Sequence, residues 1–235
     1  MINTLDQQNK IYWQEYKPGT IPTTPLSPPK ILLDNIHGPI LDVGTGDGIL
    51  AEELSLIDFD VYGIDIAKSI IENNQKKITR VNYSIQDITT RTNFPDNFFE
   101  LVIFKFTLTN IHKEAWEPLG KEIFRILKPT GCVWIVEPLV SESYVQRYKL
   151  ASNFVSDKNC VYVFNDKDLA ATVNTRDDLQ NAINNKLVSR IVKHYTIEEL
   201  KSIFNKLTLT NHKIIPVTSP SGFVINTFEG IFKKS

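Results

Sequence analysis

A run of glycines after one short apolar segment carries the strongest chemical signal in the chain. Asp42, Gly44, Gly46 and Gly48 alternate with single other residues. Because glycine permits a sharp turn and lets a ligand approach the backbone amides at a helix N-terminus, this spacing predicts a site for a ligand with an anionic end. A turn without a ligand is the alternative, but three glycines in five positions weaken a helix start unless another requirement keeps them.

A nicotinamide dinucleotide is the first competing ligand to consider at such a turn. Its fingerprint requires glycines at the first, third and sixth positions. Counted from Gly44, the sixth position is Ile49. The standard dinucleotide pattern is therefore broken.

Two further aspartates end predicted strands at the same edge of the sheet. Asp65 follows Gly44 by 21 positions, where an acidic side chain can accept hydrogen bonds from both ribose hydroxyls of an adenosine. It also suits the N-cap of the next helix, and the two roles are compatible. Asp87 is placed to accept from an exocyclic amine, although an isolated aspartate there is also a common turn former.

The elements that position these residues follow from the hydrophobic pattern. From Pro39 onward, short apolar runs alternate with helical patterns, which predicts a parallel sheet with crossover helices. The predicted strands are 40–43, 61–64, 82–85, 101–104 and 133–136. One helical face carries Ile49, Leu50, Leu54 and Ile57, and another carries Trp116, Leu119, Ile123, Ile126 and Leu127 before it stops at residues 128–131.

We expect one α/β domain over residues 1–235 with four parts. Residues 1–30 form an arm or lid, since their prolines exclude a long helix, and residues 31–138 form the core. Residues 139–193 form a cap insertion, and residues 194–235 form a helix and a terminal β-hairpin. The cap is predicted to contain one helix, whose apolar face has Leu179, Ile183, Leu187 and Ile191.

Composition restricts the classes of partner. The 26 Lys and Arg residues balance 27 Asp and Glu residues, so no global positive field favours nucleic acid. The N-terminus has no signal-peptide pattern and no apolar run is long enough to span a bilayer, so we expect a cytoplasmic protein without membrane partners. Cys132 and Cys160 lack metal-ligand spacing and are expected to be packed thiols.

Five ordered motifs lie at residues 41–48, 61–66, 86–88, 96–102 and 127–131. Together they resemble the class I, Rossmann-like, S-adenosylmethionine-dependent methyltransferases, in particular the small-molecule branch. The resemblance covers about residues 31–137 and resumes at Tyr195. It implies S-adenosylmethionine as the cofactor and a seven-stranded, mostly parallel sheet in the order 3-2-1-4-5-7-6, with helices on both faces and a terminal antiparallel hairpin.

The resemblance also assigns cofactor roles to residues of the motifs. The glycine run from Asp42 to Gly48 would hold the methionine moiety, and the strand ends would hold the nucleoside. The implied contacts are Gly44, Thr45 and Gly46 for the methionine moiety, Asp65 for the ribose, Asp87 and Ile88 for the adenine, and Lys105 and Phe106 for the methionine end and the transferred methyl group. Asp42, Gly48 and Ile66 are further implied cofactor contacts.

Three residues depart from the family pattern. Glu100 replaces the usual Asp and Thr130 the usual Gly, and both changes leave cofactor binding intact. Asn110 stands near where many relatives have a histidine, which weakens any catalytic role taken over from them.

Methyl transfer from a sulfonium needs alignment more than it needs a dedicated base. If the acceptor is a hydroxyl, His112 after the fourth strand or Glu137 at the end of the fifth would be placed to deprotonate it. The alternatives are that His112 caps a loop and that Glu137 is a structural hydrogen-bond acceptor.

The acceptor pocket is expected between the aromatic arm, the loop after the fourth strand and the cap. The aromatic side chains suggest an apolar or planar small molecule, unless they merely pack the cap. The implied substrate contacts are Tyr12, Trp13, Tyr16, Asn110, Tyr144 and Tyr148, and further cap aromatics are Phe154, Tyr162 and Phe164.

Two other functions stay open at this point. A methyltransferase acting on RNA or protein would need a basic face or a peptide groove, and Lys76, Lys77 and Arg80 are too few for the first. A non-catalytic partner protein would keep the cofactor motifs and fill the acceptor pocket.

We predict that methyl transfer survives metal chelation. His37, His194 and His212 are scattered, and no group of Asp, Glu and His has metal-ligand spacing in the sequence. Activity measured with and without EDTA tests this, and a loss that magnesium restores would contradict it.

Overall fold

The computed structural model describes residues 5–15, 26–140, 154–157, 160–164, 170, 172–185, 187–218 and 224–234. The strands, in chain order, are β1 Ile40–Val43, β2 Val61–Asp65, β3 Asn82–Ile85, β4 Phe99–Lys105, β5 Leu127–Pro138, β6 Phe154–Asp157, β7 Cys160–Phe164, β8 Val188–Lys193, β9 Thr208–Thr218 and β10 Val224–Lys233.

Helices connect and flank these strands. They are α1 Leu5–Gln14, α2 Lys30–Leu33, α3 Ile49–Leu56, α4 Lys68–Asn74, α5 Trp116–Ile126, α6 Arg176–Asn184 and α7 Ile197–Ile203, with short 3₁₀ turns at Leu108–Asn110 and Lys113–Ala115. Among the described residues, no helix is both long enough and apolar enough to cross a membrane.

A seven-stranded sheet forms the centre of the molecule, in the order β3-β2-β1-β4-β5-β10-β9. β1 pairs in parallel with β2 and β4, while β10 runs antiparallel to both β5 and β9. The predicted order 3-2-1-4-5-7-6 is confirmed, with β9 and β10 as its sixth and seventh strands. All five predicted core strands and the terminal hairpin are present.

Alternate residues of the central strands enter two hydrophobic layers. In β4, Val102 and Phe104 pack on the side of α5, whereas Leu101 and Ile103 pack on the side of α3. All four are fully buried. A sheet covered on both faces explains why these strands read as continuous apolar runs in the sequence.

The cap region contains a second sheet that the sequence pattern did not predict. β6, β7 and β8 pair antiparallel in that order. The prediction of one helical face through Leu187 and Ile191 is wrong, because α6 ends at Asn184 and Ile191 lies in β8. The β-branched residues of β8 favour a strand, and their spacing from Leu179 and Ile183 matched a helix by coincidence.

The N-terminal arm contains a short helix that the sequence analysis did not predict and that its prolines allow. α1 has ten residues and ends at Gln14, ahead of the first proline, Pro18. The prolines therefore set where the helix must stop, and they do not prevent it from forming. Near the other end of the chain, α7 begins with a capping box, since the Thr196 side chain accepts from the Glu199 amide and the Glu199 side chain accepts from the Thr196 amide.

A close helix crossing depends on Gly120 in α5. A Cβ atom at this position would collide with the backbone carbonyl oxygen of Ile203 in α7. We predict that Gly120→Ala lowers the free energy of unfolding by about 1–3 kcal/mol, because two backbones must separate. Urea unfolding measures the change, and Lys121→Ala, an exposed neighbour, is the control. If Gly120→Ala and the native protein are equally stable, the close crossing of α5 and α7 does not depend on Gly120.

Candidate functional site

A cavity of about 530 Å³ lies where the parallel strands end. Its walls come from the segments after β1, β2, β3 and β4, and α1 and residues 26–27 contribute from outside the sheet. Of the predicted contacts, these line it: Trp13, Asp42, Gly44, Thr45, Gly46, Asp65, Ile66, Asp87, Ile88, Lys105, Phe106 and Asn110.

The glycine turn forms the floor of this cavity. Gly44 has a φ of +67°, and a Cβ atom there would lie within 2.6 Å of the Thr107 side chain. Both requirements exclude a side chain at position 44. Gly48 has a different task, since it caps α3 with a φ of +77° and is not among the described residues that line the cavity.

Asp42 lies buried beneath the turn, with only 4% of its surface exposed. Its carboxylate accepts a hydrogen bond of 2.8 Å from the Thr45 hydroxyl. Burial raises the pKa of Asp42 to about 6, while Thr45 and the charge of Lys105 oppose the rise. Lys105, at the end of β4, has its own pKa lowered by burial, and Asp42 counteracts that shift. Each charge thus offsets part of the effect of burial on the pKa of the other.

Asp65 orients the turn from the end of β2. Its carboxylate accepts from the amides of Gly46, at 3.2 Å, and Ala67, at 2.9 Å. Burial raises its pKa, and these amide hydrogen bonds lower it. Ala67, rather than Asp65, is the N-cap residue of α4. The N-cap interpretation of Asp65 is therefore wrong, although Asp65 supports the start of the helix through the Ala67 amide and lines the cavity.

Asp87 holds a turn after β3 and also meets a cation from the arm. One carboxylate oxygen accepts from the Thr89 amide at 2.9 Å and from the Thr89 hydroxyl at 2.7 Å. The other lies 2.9 Å from Nζ of Lys10. Asp87 is therefore both the turn former and a cavity residue.

Lys10 and its neighbour Asn9 line the cavity and were missed in the sequence. The helical pattern of α1 is short and carries no motif. Nothing local indicates that α1 folds back against residues about 80 to 100 positions away, so only the tertiary structure reveals these two contacts.

Glu137 is not placed as the predicted base. Its side chain is fully buried and accepts from the amides of Thr107 and Leu108, both at 2.7 Å, and of Thr109, at 3.3 Å. It is not among the described residues that line the cavity. The geometry corrects the proposed role, because Glu137 acts as the structural acceptor that holds the loop after β4. A buried carboxylate at this point satisfies amides that would otherwise lack partners.

His112 also lies away from the described wall of the cavity. It precedes the 3₁₀ turn Lys113–Ala115 as its N-cap residue, with Nδ1 3.9 Å from the Glu114 carboxylate. Its immediate neighbours Asn110 and Ile111 do line the cavity. The loop after β4 therefore presents an amide and an apolar side chain to a ligand, and the imidazole is directed elsewhere.

The predicted aromatic wall is present only in part. Trp13 and Phe106 line the cavity, and Phe106 has a φ of +56°, which is unusual for a bulky residue and typical of functional sites. Tyr12 packs edge-on against Trp13 with ring centres 5.2 Å apart and is not a described wall residue. In the cap, Tyr162 and Phe164 are buried in the core of the second sheet. Tyr16, Tyr144 and Tyr148 lie outside the described residues.

We predict that Glu137 makes stability fall as the pH rises. Burial raises its pKa from the ordinary 4.5 to about 8, so the folded protein holds this proton more tightly than the unfolded chain. The free energy of unfolding should decrease between pH 5 and pH 8, and Glu137→Gln should flatten this slope. Urea unfolding at several pH values measures it, with the exposed Glu72→Gln as the control that keeps the native slope. An unchanged slope in Glu137→Gln would contradict the assignment.

Known proteins are similar to part of this chain in sequence. A family described as a methyltransferase domain matches residues 40–131. A demethylmenaquinone methyltransferase of Chlorobaculum tepidum is 31% identical over 109 residues, which is 46% of this chain and 44% of the relative. A phosphoethanolamine N-methyltransferase of Plasmodium falciparum is 25% identical over 79% of this chain and 66% of the relative. The match thus spans less than half of the first relative's length.

Solved structures extend the likeness over nearly the whole chain. An S-adenosylmethionine-dependent methyltransferase of Methanosarcina mazei superposes with a TM-score of 0.68 at 20% identity, covering 89% of this chain and 99% of the other. The 1,6-didemethyltoxoflavin-N1-methyltransferase of Burkholderia thailandensis, solved with its substrate and S-adenosylhomocysteine, has a TM-score of 0.57 at 13% identity, covering 99% and 80%. These neighbours share the fold.

The glycine turn, the aspartates at the ends of β2 and β3, and the sheet order agree with the match to residues 40–131. Residues 40–131 match the methyltransferase-domain family, and the fold is that of solved S-adenosylmethionine-dependent methyltransferases.

Proposed function

We propose that this protein transfers the methyl group of S-adenosylmethionine to an oxygen or nitrogen atom of a small-molecule acceptor. The observation that carries the proposal is the single cavity in which the glycine turn at Gly44 meets the carboxylates of Asp65 and Asp87. This set suits an adenosine joined to an amino acid, because each part of such a molecule finds a matching group.

The cavity fits the cofactor at its two ends. Gly44 and Gly46 line the cavity without side chains, so the methionine moiety would lie against the backbone of the turn. Lys105, beside it, offers a positive charge to the α-carboxylate. Asp65 would accept from the ribose hydroxyls, and Asp87 with Ile88 would hold the adenine. When bound, S-adenosylmethionine supplies an electrophilic methyl group on a sulfonium.

The residues of this chain contribute orientation more than proton transfer. His112 and Glu137, the two candidate bases, are not described wall residues, whereas Trp13, Phe106 and Asn110 are. Holding the acceptor in line with the methyl group is worth about 7–11 kcal/mol at best. The apolar side chains exclude water, and the Asn110 amide can hydrogen-bond to one polar group of the acceptor. An acceptor that loses its proton readily therefore suits the site.

A small molecule fits this site better than a macromolecule. The formal net charge is −1, so no overall positive field attracts a nucleic acid. Relatives that match this chain are named for demethylmenaquinone and phosphoethanolamine, which are small acceptors. Aromatic walls suggest an apolar or planar molecule.

We predict that S-adenosylhomocysteine raises the melting temperature of the protein and that NAD does not. Asp65→Ala should weaken S-adenosylhomocysteine binding about tenfold or more, because a charged acceptor of hydrogen bonds is lost. Calorimetric titration measures the affinity. Asp60→Ala, an exposed aspartate just before β2, is the matched control and should bind like the native protein. Stabilisation by NAD alone would contradict the proposal.

Incubation with labelled S-adenosylmethionine and a metabolite extract tests the transfer itself. A labelled product of low molecular mass supports the proposal. Label that enters only RNA or protein indicates a macromolecular acceptor, and cofactor binding without any labelled product indicates a non-catalytic binder. The last two outcomes contradict a small-molecule methyltransferase.

A further inference from the structure

Asn9 is a polar residue buried deep between three parts of the chain. It lies in α1 with only 2% of its surface exposed. Its side-chain nitrogen donates to the carbonyl oxygens of Asn110, at 3.0 Å, and Ile191, at 2.8 Å. Its side-chain oxygen accepts from the Ile191 amide at 2.7 Å. Both donor hydrogens and the acceptor are therefore in use, which few surface amides achieve.

The partners of Asn9 explain why an amide is required. Ile191 belongs to β8, the last strand of the second sheet, and a strand at a sheet edge has backbone groups without a neighbouring strand. The amide of Asn9 donates to and accepts from the same residue, as a neighbouring strand would. Its second hydrogen reaches Asn110 in the loop after β4. One side chain thus joins α1, the second sheet and the wall of the cavity.

Two other residues of α1 contact the cofactor cavity directly. Lys10 follows Asn9 and pairs with Asp87, the carboxylate assigned to the adenine. Trp13 lies one helical turn after Asn9, on the same side of α1, and also lines the cavity. Since α1 is a rigid helix, the position of Asn9 determines where both side chains lie.

We propose that Asn9 is a positioning residue that docks α1 over the cofactor cavity and thereby slows the release of the cofactor and its product. This inference rests on the proposed function, because it assigns α1 to the wall beside the adenine. Without the amide, three buried backbone groups of Ile191 and Asn110 lose their partner, and such groups are costly to leave unsatisfied. The docked position of α1 is then no longer energetically favoured, and the contact between Lys10 and Asp87 weakens as a result.

The test is the dissociation rate of S-adenosylhomocysteine. Protein loaded with radiolabelled S-adenosylhomocysteine is chased with an excess of unlabelled ligand. Asn9→Ala removes the whole amide, whereas Asn9→Asp keeps its size and removes both donors. We expect both variants to release the ligand about tenfold faster than the native protein. Gln14→Ala, at an exposed position of the same helix, is the matched control and should keep the native rate.

Lys10→Ala gives a second measurement that does not disturb the buried contact. It should also release S-adenosylhomocysteine faster, because it removes the direct bond between α1 and Asp87. Circular dichroism establishes that each variant is folded, so a changed rate reports docking of α1 and not loss of the fold. If the Asn9 variants do not fold, the dissociation rate of S-adenosylhomocysteine from Lys10→Ala tests the docking of α1.

Native dissociation rates in the folded Asn9 variants, or in Lys10→Ala, would overturn the inference. A merely structural role would lower the melting temperature of the Asn9 variants and leave the dissociation rate unchanged. The proposed function fails in a different way, since a native protein that does not bind S-adenosylhomocysteine contradicts it before any variant is compared.

Discussion

The contact between Thr107 and the glycine turn joins the ends of three neighbouring strands, and the site depends on it. The Thr107 hydroxyl donates to the carbonyl of Val43 at 2.8 Å, and its amide donates to Glu137 at 2.7 Å. Its side chain occupies the space that a Cβ atom at position 44 would need. β1, β4 and β5 are thereby held in one arrangement at the edge where the cavity opens. A ligand against the turn meets a wall that needs no rearrangement.

Asp65 and Asp87, two carboxylates of the cavity, already have partners within the protein before a ligand enters. Asp65 and Asp87 each accept hydrogen bonds from the protein, which keeps their oxygens oriented. Asp42 and Lys105 moderate each other's pKa under burial. Such preorganisation lowers the cost of binding, because the side chains do not have to be ordered by the ligand. It agrees with the proposal that methyl transfer would be accelerated mainly by alignment.

The core could be predicted from the sequence because its signals are local. The predicted bounds of β1 and β3 agree with the structure at both ends. Asp65 was predicted to line a ligand site, and it lines a cavity that several separate segments build. The second sheet was not predicted, since pairing of β7 with β8 joins residues about thirty positions apart and leaves no regular alternation in the sequence. Glu137 was misjudged for a related reason. Its strand was correct, but only the folded loop shows that its carboxylate faces three amides.

By itself, the sequence determined the positions of the core strands, the glycine turn and the aspartates at the strand ends, whereas the order of the strands was implied by the resemblance to a known family. Strand periodicity, glycine and the alternation of elements act over a few residues, so they can be read along the chain. The tertiary structure alone decided which side chains line the cavity, and it brought in Asn9 and Lys10 from α1 while keeping His112 and Glu137 away from the described wall. Those outcomes depend on contacts between distant segments, such as Asn9 with Ile191, whose energies arise only when the chain has folded.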